Sequence, residues 1–95
     1  MSQKKEIKQK ENAEKLQKSH LTLDSIIKTD NIPRNIKNKL REINNLLRDE
    51  NNGSISVRAA NAVSMLDSLT QNPQMQSHVR TMIWQAVSML EGIRE

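Results

Sequence analysis

The side chains that could do chemistry are basic rather than catalytic. At 100° per residue the basic residues of one predicted helix lie within about 60° of one another, with no acidic residue among them. Two amides, Asn44 and Asn45, interleave with them. Cations and amides in such a line suit phosphate oxygens and base edges, which makes nucleic-acid binding one hypothesis. The other is an ordinary solvated helix face. The basic residues are Arg34, Lys37, Arg41 and Arg48.

Neither a metal site nor a catalytic site is indicated by the remaining polar residues. His20 and His78 fall in different predicted helices, and the carboxylate at helical spacing from His20 is Asp24. His20 lies between Leu16 and Leu23 on an apolar face, a position typical of a hydrogen-bonded boundary residue. The sequence contains no glycine-rich phosphate loop and no nucleophile beside a base. We therefore predict a protein that is not an enzyme and that binds no metal or cofactor.

Trp84 stands out because it is the only aromatic residue in the chain. By helical angle it lies off the centre of the apolar stripe of the last predicted helix, one turn after Arg80. It could pack at the rim of the core. The alternative is a partner-binding surface or a homodimer interface, in which Arg80 over the indole would contribute about 0.5–1 kcal/mol. The candidate interface residues are Trp84, Arg80, Met82 and Met89.

Composition limits the fold class. With 95 residues, 35% apolar and 27% charged, the chain has the size of one domain, whose core must come from aliphatic side chains. Two glycines and two prolines are too few for the turns of a sandwich or barrel. A large aromatic-lined pocket is excluded, so no small-molecule ligand is expected. We predict an all-α protein.

The absence of cysteine and of long apolar runs bears on location. Without cysteine there is neither a disulfide framework nor a thiolate zinc site. The longest apolar run, Met82-Ile83-Trp84, is far too short for a signal peptide or a membrane span. These features predict a cytoplasmic protein with no membrane partner.

The apolar spacing predicts four helices. Residues 1–18 form a Lys/Glu-rich lead-in with few large apolar residues, expected to be a frayed or partly disordered helix. Residues 19–95 form the folded domain, with breaks at Thr29–Pro33, at Glu50–Ser54 and at Gln71–Pro73. Gly53 supplies a positive φ in the second break. The predicted core residues are Leu16, Leu23, Ile26, Ile27, Ile36, Leu40, Ile43, Leu47, Ala59, Ala62, Val63, Leu66, Leu69, Met75, Val79, Met82, Ile83, Ala86, Val87, Leu90 and Ile93.

The two halves of the chain align without a gap at an offset of 43 residues. Leu23-Asp24-Ser25-Ile26 then lies over Leu66-Asp67-Ser68-Leu69. One interpretation is a duplicated helical hairpin, with a period typical of HEAT and armadillo units. The other is that any two amphipathic hairpins align when their apolar faces are in phase. Two hairpins are too few for a solenoid, so we predict an up-and-down four-helix bundle of two related hairpins.

Three motifs resemble those of an archaeal uncharacterised protein family, number 0147. They are Ile32-Pro33-Arg34-Asn35-Ile36, Val57-Arg58-Ala59-Ala60, and Asn72-Pro73-Gln74-Met75 followed by His78, Arg80-Thr81 and Ile83-Trp84. The resemblance runs from about Leu21 to Ile93, with residues 1–20 similar to a variable extension. Gln76 departs from the family, in which a proline is often found there.

The resemblance implies a small helical bundle and carries no known activity or site residue. The residues themselves predict a small non-catalytic interaction module with a protein partner or a second copy, most simply as a dimer. Nucleic-acid binding through the basic residues is the alternative.

Overall fold

The computed structural model describes residues 2–94, with side chains from residue 6 onward. The described chain is all-helical, as the sequence predicts, and contains no strand. The α-helices are α1 Ser2–Ile27, α2 Arg34–Arg48, α3 Ile55–Thr70 and α4 Ser77–Glu91, with a short 3-10 helix over Glu50–Asn52. Within these residues no helix is both long and apolar enough to cross a membrane.

The core lies among the helices, because α1 and α3 each pack against both α2 and α4. It is aliphatic, as the composition requires, and every core residue predicted from periodicity is buried or packs against the core. Leu16, Val63 and Met82 lie at its edge. The apolar spacing therefore predicted the core correctly.

A side-chain cap explains where α3 begins, whereas the N-cap residue of α4, Gln76, makes no such bond. Gly53 has φ 111°, a conformation that side chains with a Cβ avoid, and the next residue, Ser54, accepts a hydrogen bond from the Val57 N–H at 3.4 Å. α4 begins only at Ser77, so Met75 reaches the core from the preceding turn rather than from the helix. In that turn Asn72 Oδ1 accepts from the Gln74 N–H at 2.9 Å.

α1 runs through the predicted lead-in without a boundary near residue 18. Asn12 is only 4% exposed, and its amide donates to the Arg94 carbonyl at 2.8 Å and accepts from the Arg94 N–H at 3.3 Å. Lys15 Nζ donates to the Gly92 carbonyl at 3.0 Å. Polar side chains hold this stretch against the C-terminal segment, which a count of apolar residues misses. The side chains of residues 6–11 are exposed, and fraying there stays a prediction; Met1 and Glu95, the ends of the predicted segments, lie outside the described residues.

The 43-residue offset reappears in the helix boundaries. α2 and α4 each have 15 residues, and both ends of α4 lie 43 residues after those of α2. α1 and α3 end at Ile27 and Thr70, which differ by the same offset. The contacts agree, since the α1–α2 pair corresponds to α3–α4 and the α1–α4 pair to α2–α3.

Candidate functional site

The basic residues of α2 form a line along the outer side of that helix. Arg34, Arg41 and Arg48 are exposed and Lys37 is half-buried. At 1.5 Å per residue the line extends about 21 Å. The Arg41 guanidinium donates to Asn38 Oδ1 at 3.1 Å, which holds it along the helix surface. We call Arg34, Lys37, Arg41 and Arg48 the basic stripe.

Asn44 does not belong to this surface, contrary to its place beside the stripe in the sequence. It is 6% exposed, and its Oδ1 lies 2.7 Å from His20 Nδ1 on α1. Because an amide oxygen can only accept, His20 Nδ1 carries the proton of this hydrogen bond. The interpretation of His20 as a hydrogen-bonded boundary residue is confirmed, and Asn45 remains exposed.

An acidic residue from α1 lies near the C-terminal end of the stripe. Asp24 forms an ion pair with Lys28 at 2.9 Å. The hydrogen bond from Lys28 lowers the pKa of Asp24 from its ordinary value of 3.8, and the charges of Lys28, His20 and Arg48 lower it further. Desolvation of the carboxylate opposes them. The stripe is free of acid along α2, but the tertiary structure adds a carboxylate from the neighbouring helix, already paired with a lysine.

Trp84 and Arg80 lie one turn apart on α4. The indole side chain is 54% exposed. The Arg80 guanidinium donates through Nε to the Thr70 carbonyl at 2.7 Å and through Nη2 to the Asn72 carbonyl at 3.0 Å. Arg80 therefore has a structural role that the sequence did not suggest, since it ties the end of α3 to α4.

The two methionines of the candidate interface lie on the other side of α4. At 100° per residue, Met82 and Met89 are about 160° and about 140° from Trp84. Met82 packs against the core and Met89 is half-buried. The structure thus does not bring Trp84 and the methionines into one patch. Their helical angles alone contained this information.

A groove of 390 Å³ lies between α3 and the end of α4. Small side chains line its α3 wall, and Glu91 and Arg94 flank the other wall. A second groove is lined by four α1 residues that lie 43 positions before the α3 residues of the first groove. In the second groove, Gln17 and His20 occupy the positions that Ala60 and Val63 occupy in the first. The α3–α4 groove is thus the one with smaller side chains, and sequence reasoning missed it. Its lining is Ser56, Ala59, Ala60, Val63, Leu90, Glu91, Ile93 and Arg94.

Arg58 is a buried cation to which sequence reasoning assigned no role. It is 8% exposed and donates through Nη1 to the Leu47 carbonyl at 2.7 Å and through Nε to the Gly53 carbonyl at 3.0 Å. Arg58 is the one arginine of α3 and stands in an apolar stretch, and this pattern could have indicated a buried role.

The structure offers no arrangement for catalysis or metal binding in the residues it describes. No group of three or more His, Cys, Asp or Glu side chains comes together there. His78 is exposed near the start of α4. The surface features that the described residues present are the basic stripe and the groove between α3 and the end of α4.

The family described as "Uncharacterised protein family (UPF0147)" matches residues 3–93. The chain belongs to UPF0147. The match starts much earlier than Leu21, so the expectation that residues 1–20 are an extension outside the family pattern was wrong. Asn12 and Lys15 form hydrogen bonds to the C-terminal segment, which gives a physical reason for residues 1–20 to belong to the shared fold.

Other UPF0147 proteins cover nearly the whole chain. The protein from Desulfurococcus amylolyticus is 41% identical over 85 residues, which is 90% of this chain and 92% of that one. That from Sulfurisphaera tokodaii is 36% identical over 87 residues, covering 90% and 94%. A crystal structure titled "unknown function protein MMP1188" has a TM-score of 0.81 and 36% identity, and the match covers 87% of this chain and 93% of that chain. These UPF0147 relatives are archaeal and carry no stated activity, so the function is not known.

Proposed function

We propose that this UPF0147 protein is a small non-catalytic interaction module that forms a homodimer through its α3–α4 face. The supporting observation is the 54% exposure of Trp84, the only aromatic residue of the chain. A tryptophan packed at the rim of the core would lose most of its surface to the molecule itself. Here more than half remains to be buried by a partner, which would contribute about 2 kcal/mol at 25 cal/mol per Å².

The shape of the face supports a second copy as the partner. Val63 of α3 lines the groove together with residues at the end of α4. If two α4 helices pair antiparallel about a two-fold axis between Trp84 and Val87, each indole lies opposite Val87 of the other copy. Both copies then bury the same patch, as a two-fold interface requires.

Charge on this face is also self-complementary. The same antiparallel pairing places Arg80 of one copy opposite Glu91 of the other. Arg80 uses Nε and Nη2 within its own chain, which leaves Nη1 for a carboxylate across the interface. Glu91 is exposed at the other end of the same helix edge. Opposite charges at the two ends favour the antiparallel orientation over the parallel one.

The proposal includes the architecture and the compartment. The ring of contacts between helices and the repeated helix boundaries support an up-and-down four-helix bundle built from two related hairpins. A cysteine-free chain suits a cytoplasmic protein. A dimer would also add burial to a small aliphatic core.

Sedimentation velocity of the wild type and of Trp84→Ala tests the proposal. We expect a dimer at about 100 μM for the wild type and at least a tenfold weaker association for Trp84→Ala, because the central apolar contact is lost. Leu21→Ala is the matched control, since Leu21 is 52% exposed on the outer side of α1 and its loss should leave the dimer intact. Glu91→Lys should also weaken the dimer by placing a cation opposite Arg80.

Trp84 also reports on the interface by its own fluorescence. Dilution of the wild type from about 100 μM to about 1 μM should shift the emission to longer wavelength as the indole becomes hydrated. A wild type that sediments as a monomer at millimolar concentration, with emission insensitive to dilution, would contradict the dimer.

A further inference from the structure

We propose that the α1–α2 face carries a second binding surface, on which the basic stripe binds the phosphate backbone of a nucleic acid. This inference is independent of the dimer, because the stripe and Trp84 lie on different helices and use different chemistry. The stripe would recognise the charge and shape of the phosphate backbone and would not distinguish base sequences.

The fold itself does not require cations at these positions. The residues 43 positions after Arg34, Arg41 and Arg48 are Ser77, Trp84 and Glu91, on the matching side of α4. Equivalent helix positions thus carry hydroxyl, aromatic and acidic side chains in one half of the molecule and guanidinium groups in the other. The three arginines of α2 are therefore not a condition for packing, whereas the fourth stripe residue, Lys37, corresponds to Arg80, so that position carries a cation in both halves.

The stripe is also not neutralised by its surroundings. Within the described residues the ion pairs join Lys28 to Asp24 and Lys39 to Glu42, and neither uses a stripe residue. Glu42 lies about 80° to about 140° around α2 from the residues of the stripe. Asp24, the acid nearest to Arg48 on α1, is already paired with Lys28. No stripe residue takes part in these ion pairs, and the acids that follow the stripe in the chain, Asp49 and Glu50, stand at the Arg48 end, where Glu50 lines a groove with Arg48.

The composition of the stripe favours phosphate over other anionic partners. Three of its four cations are arginines, whose planar guanidinium binds a phosphate through two parallel hydrogen bonds. An acidic protein or a membrane surface would need apolar contacts beside the cations. The exposed large apolar residues of the described chain, Ile7, Leu21, Val57 and Trp84, lie outside α2, and only Leu21, one turn before Asp24 on α1, stands near an element that borders the stripe. A line of about 21 Å is long enough to follow several phosphates of one strand.

Fluorescence anisotropy with labelled 20-mers of random sequence, one single-stranded RNA and one duplex DNA, tests the inference between 50 and 200 mM salt. Four phosphate contacts predict a slope of log K against log salt of about −2.8 for the single strand and about −3.6 for the duplex. Affinity should therefore fall about 50-fold to 150-fold over this range.

A triple variant, Arg34→Gln with Arg41→Gln and Arg48→Gln, should weaken binding at least about 30-fold at 50 mM salt and reduce the slope by two to three units. The matched control replaces Lys8, Lys10 and Lys18 by Gln, since these exposed lysines of α1 carry the same charge away from the stripe. The control should bind within about threefold of the wild type. Circular dichroism of both variants verifies the fold.

The outcomes separate the possible partners. The inference is overturned if both triple variants lose affinity equally, because net charge alone then explains the binding. It is also overturned if vesicles with 30% anionic lipid bind the wild type while neither oligonucleotide does. Trp84→Ala should keep the affinity of the wild type, so failure of the dimer and failure of the stripe are distinguishable.

Discussion

At the scale of single residues, two arginines act inside the molecule and three act at its surface. Arg58 and Arg80 donate to backbone carbonyls at the ends of α2 and α3, which would otherwise lack a partner where the chain turns. The exposed guanidinium groups of α2 make no comparable contact. Sequence alone does not separate these two uses of arginine, because the difference lies in which carbonyls come within reach.

Arg58→Met should destabilise the protein by about 2–3 kcal/mol. Methionine keeps most of the apolar stem but leaves the buried Leu47 carbonyl without its donor. Urea unfolding followed by circular dichroism at 222 nm measures the free energy of unfolding. Arg41→Met is the control, since that side chain is exposed and its loss should change the free energy by less than about 0.5 kcal/mol. Equal effects of the two changes would refute the structural role of Arg58.

At the scale of helices, α1 is held at its N-terminal half by polar bonds to the segment after α4. Asn12 binds both backbone groups of Arg94, and Lys15 binds the Gly92 carbonyl at the C-terminal end of α4, where a cation also favours the helix dipole. The sequence predicted the later part of α1 from its apolar spacing. It did not predict this junction, because the bonds join residues about 80 positions apart.

Asn12→Ala should loosen the C-terminal segment and cost about 1–2 kcal/mol. The amide of Arg94, which donates to Asn12 Oδ1, should exchange with deuterium at least tenfold faster. Exchange measured by NMR gives this rate residue by residue. Gln9→Ala, an exposed change one turn earlier on α1, should leave both the exchange rate and the stability unchanged. Unaltered exchange at Arg94 in Asn12→Ala would show that the bond does not hold the segment.

At the scale of the whole molecule, the two halves repeat one another in burial as well as in boundaries. Leu23 and Leu66, which correspond at the 43-residue offset, are both 0% exposed, as are Leu40 and Ile83. The halves differ where they face solvent, with cations on α2 and Trp84 on α4. A shared core with divergent surfaces is what two binding surfaces on one scaffold would require.

Leu23→Ala and Leu66→Ala should each destabilise the protein by about 3–5 kcal/mol, with less than about 1 kcal/mol between them. The two cavities have equivalent surroundings, so they should collapse to a similar extent. The loss of stability in Leu→Ala variants depends on the size of the cavity that remains. Urea unfolding gives both values, and Leu23→Val with Leu66→Val provides milder changes if the alanine variants do not fold. A difference above about 2 kcal/mol would mean that the two halves pack differently.

The sequence by itself determined the helices, the core and the break at Gly53, because apolar periodicity and turn residues act over a few neighbouring positions. It also placed the basic stripe, which lies on one helix. Only the tertiary structure decided that Asn44 faces His20, that Asp24 borders the stripe, that Arg58 and Arg80 are internal donors, and that a groove lies between α3 and the end of α4. Each of these depends on side chains from different helices, and the distance between helices is set by packing, which a one-dimensional pattern does not contain.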